Sequence, residues 1–388
     1  MSRITIVGGG LAGLVAAISC AEQGAEVVLL EAHEELGGRA RSSDGPYKAN
    51  LGPHVIYKDG PFWSWLREQE ILPRHASVPL AGLRFRWQGE IRRMPPLGTI
   101  PSILRLRGRQ APVDLDFRSW VASLTDDRTA DLLSSAAGVY TFHHDPGELS
   151  AAFVWGHTVR VLLSPPPTAR YVIGGWSTLV AALEGRARGL GVAIELGHRV
   201  ERLPEGPAII ATELDQARQL LGDESLSWPS GHTLCVDLGL KRKRGDAFVV
   251  SDLDECGWIE RFTAPDPSLA PAGEELVQAQ LPIRPQESTE QAALRLERLL
   301  DLAYPDRHER QTWHRRQTMK SRTGALDLPG STWRDRPAVD RGDGVFLAGD
   351  MVAAPGLLSE VSFASAVEAG RLALESARSA RPKLRRVA

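Results

Sequence analysis

The sequence is poor in cysteine and lysine, and it carries almost no net charge. Its only cysteines, Cys20, Cys235 and Cys256, lie far apart, so neither a disulfide framework nor a cysteine-based zinc site is indicated. The 46 basic residues (Lys and Arg) nearly balance 48 acidic ones, which gives no electrostatic reason to expect a nucleic-acid partner. We therefore expect a reducing, cytoplasmic setting, no nucleic-acid partner and no metal site.

Long apolar runs are also missing from the chain. No segment approaches the ~20 apolar residues that a membrane-spanning helix needs. The N-terminus reaches a strand-like run by Ile4, without the basic region and long apolar stretch of a signal peptide. We expect a soluble chain, and its 388 residues predict two domains at roughly 100 to 200 residues each.

Both ends of the chain carry patterns of alternating strands and helices. Apolar runs predict a strand at 4–7, a helix at 11–23 and a second strand at 27–30. Near the C-terminus, a short strand at 344–347 is followed by an apolar helix at 362–374. The two ends are therefore expected to share one domain.

A glycine motif joins the first strand to the first helix. Gly8, Gly10 and Gly13 have the G-x-G-x-x-G spacing in the position that is typical of dinucleotide binding. Gly8 permits the tight turn, Gly10 leaves room for a pyrophosphate, and Gly13 lets the helix pack closely on the sheet. The first helical turn, with Leu11 and Ala12, would direct N–H groups and the positive end of the helix dipole at the phosphates.

An acidic residue ends the second strand. Glu31 lies where a carboxylate can accept both hydroxyls of an adenosine ribose, and the adjacent Ala32 is assigned to the same site. A 2′-phosphate would be repelled, at roughly 4 kcal/mol for two unit charges ~4 Å apart at an effective dielectric near 20. The pattern favours NAD or FAD over NADP.

The next motif separates FAD from NAD. The stretch L-G-G-R-A-R-S at 36–42 resembles the L-G-G-R-x-x-S/T segment of the flavin amine oxidase, protoporphyrinogen oxidase and phytoene desaturase superfamily. The resemblance implies a non-covalent FAD, with Gly37 and Gly38 close to it and Arg39 beside its phosphates. Arg41 is a second candidate for the phosphates.

The resemblance continues at N-L-G-P-H, residues 50–54, which is similar to the family's D-x-G-x-H segment under the flavin ring. Asn50 replaces the usual acid, which argues against proton transfer at that position. His54 is the candidate catalytic residue beside the ring. In the interior, Val200 falls within an expected strand at 193–203, where relatives place a residue whose backbone meets the adenine.

Near the C-terminus, G-V-F-L-A-G-D at 344–350 is similar to the family's closing strand. The resemblance places Gly349 and Asp350 beside the ribityl and phosphate groups, and Leu358 near the pyrimidine end of the flavin. The helix expected near Ser362 would direct its positive end at the ring edge that becomes negative on reduction.

The implied fold class is α/β, with a Rossmann-like FAD-binding domain of the glutathione-reductase type and a discontinuous α+β substrate-binding domain. We predict that residues 1–57, 178–228 and 334–388 form the first domain, and that residues 58–177 and 229–333 form the second.

The implied function is an FAD-dependent oxidoreductase that removes a hydride equivalent from a small, largely apolar organic substrate, as a desaturase, dehydrogenase or oxidase. Three alternatives stay open. The chain could be a flavin-dependent isomerase or mutase without net redox change, an amine oxidase, or a binding protein that has lost the flavin site. Amine oxidation has little support, because none of the six lysines is in a recognisable catalytic context.

A cluster of arginines surrounds a short apolar stretch at 95–104. This basic segment, residues 84–109, is either a solvated face or a peripheral membrane contact. The sequence leaves the substrate, the electron acceptor and the oligomeric state open.

Overall fold

The computed structural model describes residues 3–96 and 98–379, without the side chain of residue 99. The last nine residues of the predicted FAD-binding segments, 380–388, lie outside the described residues, as do positions 1, 2 and 97. The described strands are β1 (Arg3–Val7), β2 (Glu26–Leu30), β3 (Ile56–Tyr57), β4 (His75–Ser77), β5 (Leu83–Trp87), β6 (Glu90–Arg92), β7 (Ala169–Val172), β8 (Ala193–Glu195), β9 (Ala208–Ile210), β10 (Ser230–Lys241), β11 (Val249–Asp252), β12 (Trp258–Arg261), β13 (Glu274–Pro282), β14 (Gln311–Ala325) and β15 (Val345–Leu347). The described α-helices are α1 (Leu11–Glu22), α2 (Pro61–Glu68), α3 (Thr99–Leu106), α4 (Phe117–Leu124), α5 (Asp127–Ala136), α6 (Gly138–Thr141), α7 (Ala151–Val161), α8 (Trp176–Gly189), α9 (Leu214–Leu221), α10 (Thr289–Ala303), α11 (Arg307–Arg310) and α12 (Ser359–Ser379).

A parallel five-stranded sheet joins the two ends of the chain. Its order is β15-β9-β1-β2-β8, with every neighbouring pair parallel. The central strand β1 is an apolar run with four of its five residues buried, as expected where helices cover both faces of a sheet. Helix α1 packs against both α8 and α12, so the first and last helices share one core. This confirms the predicted Rossmann-like α/β fold.

A second, mixed sheet has the order β14-β10-β13-β12-β11-β5-β6. All neighbours are antiparallel except β5 and β11. Strands β5 and β6 form a hairpin, joined by Gln88 and Gly89 in the left-handed conformation that such a tight turn requires. A third, antiparallel sheet has the order β3-β7-β4.

The two larger sheets draw their strands from different parts of the chain. Strands of the parallel sheet fall within 3–30, 193–210 and 345–347, whereas strands of the mixed sheet fall within 83–92 and 230–325. The domain boundaries themselves remain a prediction. Among the described residues, no helix combines the length and the apolar character needed to cross a bilayer.

Two of the expected elements differ from the structure. The strand expected at 193–203 ends at Glu195, because the following residues bend away through Gly197 in the left-handed region. Backbone bonds from Gly197 and His198 to the carbonyls of His33 and Glu31 then hold this segment as a loop. The last helix begins at Ser359, three residues before the expected start, because the N–H groups of Glu360 and Val361 already bond back to the preceding turn.

Candidate functional site

One cavity of about 900 Å³ collects nearly all the residues that the motifs single out. It lies along the carboxyl ends of the parallel strands, where α/β sheets bind ligands, and continues over the mixed sheet. The predicted residues that line it are Gly8, Gly10, Leu11, Ala12, Glu31, Ala32, Gly37, Gly38, Arg39, His54, Val200, Gly349, Asp350 and Leu358.

The three glycines of the first motif have distinct surroundings. A side chain at Gly10 would meet nothing within 4 Å, so this residue borders open space. Gly8 has a φ of +105°, and a Cβ there would lie 2.7 Å from the carbonyl oxygen of Ala211. Gly13 does not line the cavity, and a Cβ added to it would lie 1.8 Å from the Gly8 carbonyl oxygen. Its role is close packing rather than cofactor contact.

The N-terminus of α1 opens onto the cavity without a cap. Its N-cap, Gly10, has no side chain to accept from the first turn, and that turn contains no acidic residue. The first intrahelical bond of this end is donated by Leu14 to Gly10, so the N–H groups of Leu11 and Ala12 have no partner within the helix. Unsatisfied donors beside open space fit the pyrophosphate of a dinucleotide.

Glu31 is buried at the end of β2. Its Oε2 accepts the Gly9 N–H at 2.6 Å, and its Oε1 accepts the His33 N–H at 2.9 Å. The carboxylate is therefore fixed in orientation while still lining the cavity. It can accept further hydrogen bonds, as a ribose would require.

Arg39 and Asp350 form an ion pair within the wall of the cavity. The Arg39 guanidinium donates to both carboxylate oxygens of Asp350, at 2.7 and 2.9 Å, and also to the Arg322 carbonyl at 2.6 Å. Burial alone would raise the pKa of Asp350, but the facing guanidinium holds it below its usual range. Both side chains are thus charged at neutral pH. The Arg39 guanidinium can donate hydrogen bonds to a ligand, and the Asp350 carboxylate can accept them.

His54 lines the cavity next to Arg39. Its Nε2 lies 2.9 Å from the Arg39 carbonyl, and because a carbonyl can only accept, Nε2 carries the proton. Its ring lies 4.6 Å from that of Trp176, centroid to centroid. Burial lowers the pKa of His54 to about 4, against the opposing effect of the Arg39 carbonyl. The imidazole is neutral and held in place at neutral pH.

Beyond His54, the cavity passes over one face of each of the other two sheets. Tyr57 on β3 pairs with Ala169 on β7, and directly opposed antiparallel residues point to the same face, so Tyr171, two residues along β7, shares that face with both. Pairing in the mixed sheet likewise aligns one set of cavity-lining side chains: Leu83, Phe85, Val249, Ser251, Trp258 and Glu260. Apolar side chains of α5, α6 and α7 complete the chamber, among them Leu132, Leu133, Val139 and Val161.

Comparison with known proteins matches the N-terminal part of the chain to a family. The model of the NAD(P)-binding Rossmann-like domain matches residues 6–68. An L-amino acid oxidase from Cerastes cerastes is 50% identical over 54 residues, which are 13% of this chain and 10% of the relative. A carotenoid 3,4-desaturase from Haloarcula japonica is 49% identical over 51 residues, again 13% of this chain and 10% of the relative. Each match thus spans about a tenth of the relative's length.

Solved structures match almost the whole chain at low identity. An oxidoreductase from Methanosarcina mazei superposes with a TM-score of 0.77 and 16% identity, over 94% of this chain and 99% of the other. Cyclohexylamine oxidase from Brevibacterium oxydans gives 0.71 and 16%, over 96% and 99%. The chain shares the fold of these two proteins, which agrees with the resemblance to the flavin amine oxidase, protoporphyrinogen oxidase and phytoene desaturase superfamily that its motifs indicated. A reduced UDP-galactopyranose mutase also shares this fold, with a TM-score of 0.72, 13% identity and coverage of 97% and 96%.

The resemblance to this superfamily, inferred from the motifs, is therefore confirmed. Two residues of these motifs do not line the cavity. Arg41 pairs with Glu35 at 2.8 Å and does not line the cavity, so its contact with the phosphates stays a prediction that this arrangement does not support. Asn50, which replaces the superfamily's acid, is buried and accepts hydrogen bonds from Ser42 and the Trp176 backbone. It supports the wall behind His54.

The lysines that the structure describes lie away from the cavity lining. None of the five lysines within the described residues lines the cavity. Lys243 pairs with Asp306 at 2.6 Å just beyond the end of β10. Lys320 is exposed, although its neighbour Met319 lines the cavity.

The C-terminal part of the site is built by the start of α12. Leu358 adopts a left-handed conformation, and Ser359 and Ser362 line the cavity after it. Glu360 points away into the protein, where it is 2% exposed and bonded to Arg160. The acid stabilises the first helical turn, while the arginine balances its buried charge.

Sequence reasoning missed one polar group of the cavity. Glu260 is 6% exposed and lies within a chamber wall that is otherwise largely apolar. Tyr171 donates its hydroxyl to Oε1, and Trp258 donates Nε1–H to Oε2 at 3.1 Å. Strand periodicity could have placed Trp258 and Glu260 on one face, but no motif distinguishes this glutamate from the chain's other acids.

Proposed function

We propose that the protein is an FAD-dependent oxidoreductase that removes a hydride equivalent from an organic, largely apolar substrate. The observation that carries the proposal is the continuity of one cavity from the dinucleotide glycines to a mainly apolar chamber. Bound non-covalently, FAD would supply a hydride acceptor.

The described residues suit distinct tasks in such a reaction. The N–H groups of Leu11 and Ala12 would bind phosphate, and Glu31 would hold the ribose hydroxyls. Neutral His54, fixed by the Arg39 carbonyl and Trp176, would lie beside the flavin ring and orient the substrate without adding charge. The apolar walls would exclude water, which strengthens every electrostatic interaction inside.

A flavin-dependent isomerase or mutase is the second candidate. It is favoured by the shared fold of the reduced UDP-galactopyranose mutase. Against it, the chamber wall formed by Leu83, Phe85, Val249 and Trp258 offers few partners for a nucleotide sugar. A binding protein without flavin has less support, because the glycine and Arg39–Asp350 sets are intact and line open space.

Anaerobic reduction separates these candidates. The purified protein would be mixed, without oxygen, with a panel of apolar amines and isoprenoid hydrocarbons, and the visible absorbance of the flavin followed. An oxidoreductase bleaches its flavin in proportion to product formed and regains the colour with an acceptor. Product formed only by the pre-reduced protein, without net electron transfer, would replace the first candidate with the second.

We also propose that the rim of the chamber touches a membrane containing anionic lipids, from which an apolar substrate would enter. Three leucine and isoleucine side chains line the cavity and are also exposed, which places them at its mouth: Leu83, Ile100 and Leu162. On α3, four residues after Ile100, Leu104 is 60% exposed. Exposed arginines at 93, 105, 107 and 109 complement anionic headgroups.

A cytoplasmic location is proposed with it. Support comes from the three cysteines, which are all buried, unpaired thiols. Burial raises the pKa of Cys20 to about 12 and that of Cys256 to about 12, so neither is a reactive thiolate at neutral pH.

A further inference from the structure

Glu260 differs from two other buried glutamates of the described residues, Glu275 and Glu360, in lacking a bonded cation. Glu275 is bonded to Arg261 at 2.6 Å, and Glu360 to Arg160 at 2.7 Å. Within the part of the chain that the structure describes, only neutral groups bond to the Glu260 carboxylate, namely the Tyr171 hydroxyl and the Trp258 indole. Glu260 is therefore a buried acid whose charge no described residue balances.

A charged carboxylate that is buried without a cation costs free energy unless a ligand supplies a partner. Burial raises the pKa of Glu260, since removal from water penalises the charged form. A buried carboxylate with neutral donors alone gains less than one paired with a cation. The group nevertheless lines the cavity of about 900 Å³, where a ligand can reach it.

The walls around Glu260 suit a positive charge. Tyr57 and Tyr171 share one face of the small sheet, and the same cavity is lined by Phe248, just before β11, and by Trp258 on β12. The faces of such aromatic rings attract cations, at about 0.5 to 2 kcal/mol each. None of the five described lysines lines this cavity to occupy the position instead.

We propose that Glu260 binds a basic nitrogen carried by the otherwise apolar substrate, and that Tyr171 and Trp258 are positioning residues which hold its carboxylate. The inference deepens the proposed function and rests on it, because it takes this chamber as the substrate site. A carboxylate oxygen accepts N–H bonds from the ammonium group, while the apolar body of the ligand contacts the surrounding leucine, valine and aromatic side chains. An anionic head group is excluded by repulsion from the same carboxylate.

The test compares ligands that share one apolar body. Octylamine, octan-1-ol and octanoate are titrated at neutral pH into the purified protein with its bound cofactor, and heats of binding are measured. We expect octylamine to bind at least tenfold more tightly than octan-1-ol, and octanoate to bind most weakly. Equal affinities for the amine and the alcohol in the unmodified protein would overturn the proposal.

Variants then assign the preference to the residue. Glu260→Gln keeps the shape and should abolish the preference for the amine while leaving octan-1-ol affinity within about twofold. Glu274→Gln is the matched control, because it makes the same change on the neighbouring strand β13 at a residue that does not line the cavity. An amine preference that survives Glu260→Gln overturns the assignment.

A second variant provides a test in case Glu260→Gln does not fold. Tyr171→Phe removes only the hydroxyl that holds Oε1 and should reduce the amine preference several-fold without removing it; an unchanged preference contradicts its positioning role. FAD content is measured on the same samples. A protein that holds FAD without an amine preference overturns the Glu260 inference alone, whereas a flavin-free protein that prefers octylamine overturns the proposed oxidoreductase alone.

Discussion

Arg39 and Asp350 lie 311 positions apart in the chain and form a two-bond ion pair, with Nη1–Oδ2 and Nη2–Oδ1 distances of 2.7 and 2.9 Å. Arg39 belongs to the glycine-rich segment after β2, and Asp350 follows the last strand, β15. The pair therefore links the two motifs that the parallel sheet brings together. It lines the cavity at their junction.

Asp350→Asn should destabilise the protein through this pair. The Arg39 and Asp350 side chains are 36% and 14% exposed, so loss of the carboxylate leaves a partly buried cation, at a cost of about 1 to 2 kcal/mol of unfolding free energy. Glu368→Gln is the control, because it removes a fully surface pair with Arg371 and should cost less than about 0.5 kcal/mol. Urea denaturation of the apoproteins measures both. An equal loss of unfolding free energy in the two variants would show that the Arg39–Asp350 pair stabilises the fold no more than a surface pair does.

Gly10→Val should separate folding from cofactor binding. Gly10 has extended backbone angles, and a Cβ added to it would meet no atom within 4 Å, so valine fits the fold but occupies the path of a pyrophosphate. We expect an unfolding free energy within about 0.5 kcal/mol of the unmodified protein, and loss of bound cofactor. Gly185→Val, also in open space but on α8, should keep the cofactor. A Gly10→Val protein that purifies with a full complement of flavin would refute the pyrophosphate assignment.

His54 should make stability depend on pH. Its pKa is about 4 in the folded protein, below the ordinary value of 6.5, so the unfolded chain binds the proton first as the pH falls. The stability contributed by the neutral ring is full above about pH 6.5 and is lost progressively below it, on the order of 1 kcal/mol by about pH 5.5. His54→Asn should flatten the dependence of unfolding free energy on pH by that amount. An unaltered slope would mean that His54 titrates normally in the folded state.

The membrane proposal predicts binding to vesicles. Leu104→Glu places a charge on the exposed apolar rim and should reduce co-sedimentation with vesicles of mixed neutral and anionic phospholipid at least several-fold. Leu294→Glu is closely matched, since Leu294 on α10 is 62% exposed against 60% for Leu104, and should leave binding unchanged. Equal loss in both variants, or no binding by the unmodified protein, would contradict this contact.

The sequence allowed the cofactor side of the cavity to be predicted because its motifs are local. Gly8, Gly10, Glu31 and Arg39 follow strand ends within one short βαβ unit, and their spacing alone carries the chemistry. The Arg39–Asp350 bond could not be predicted, because it depends on which strands become neighbours in the sheet.

The substrate side of the cavity could not be predicted from the sequence, because it also depends on which strands come together in the fold. Glu260 meets Tyr171 only because β12 and β7, which lie in different sheets, face one cavity. The strand expected at 193–203 was wrong past Glu195, since a left-handed glycine and bonds to residues 31 and 33 outweigh the apolar pattern.

The central claim is that this cavity holds FAD without a covalent bond, and acid precipitation of the purified protein tests it most directly. We expect a yellow protein whose colour passes entirely into the supernatant, where chromatography identifies FAD at close to one molecule per chain. NAD in the supernatant, flavin that stays in the pellet, or a protein that binds no added FAD after refolding would contradict the account.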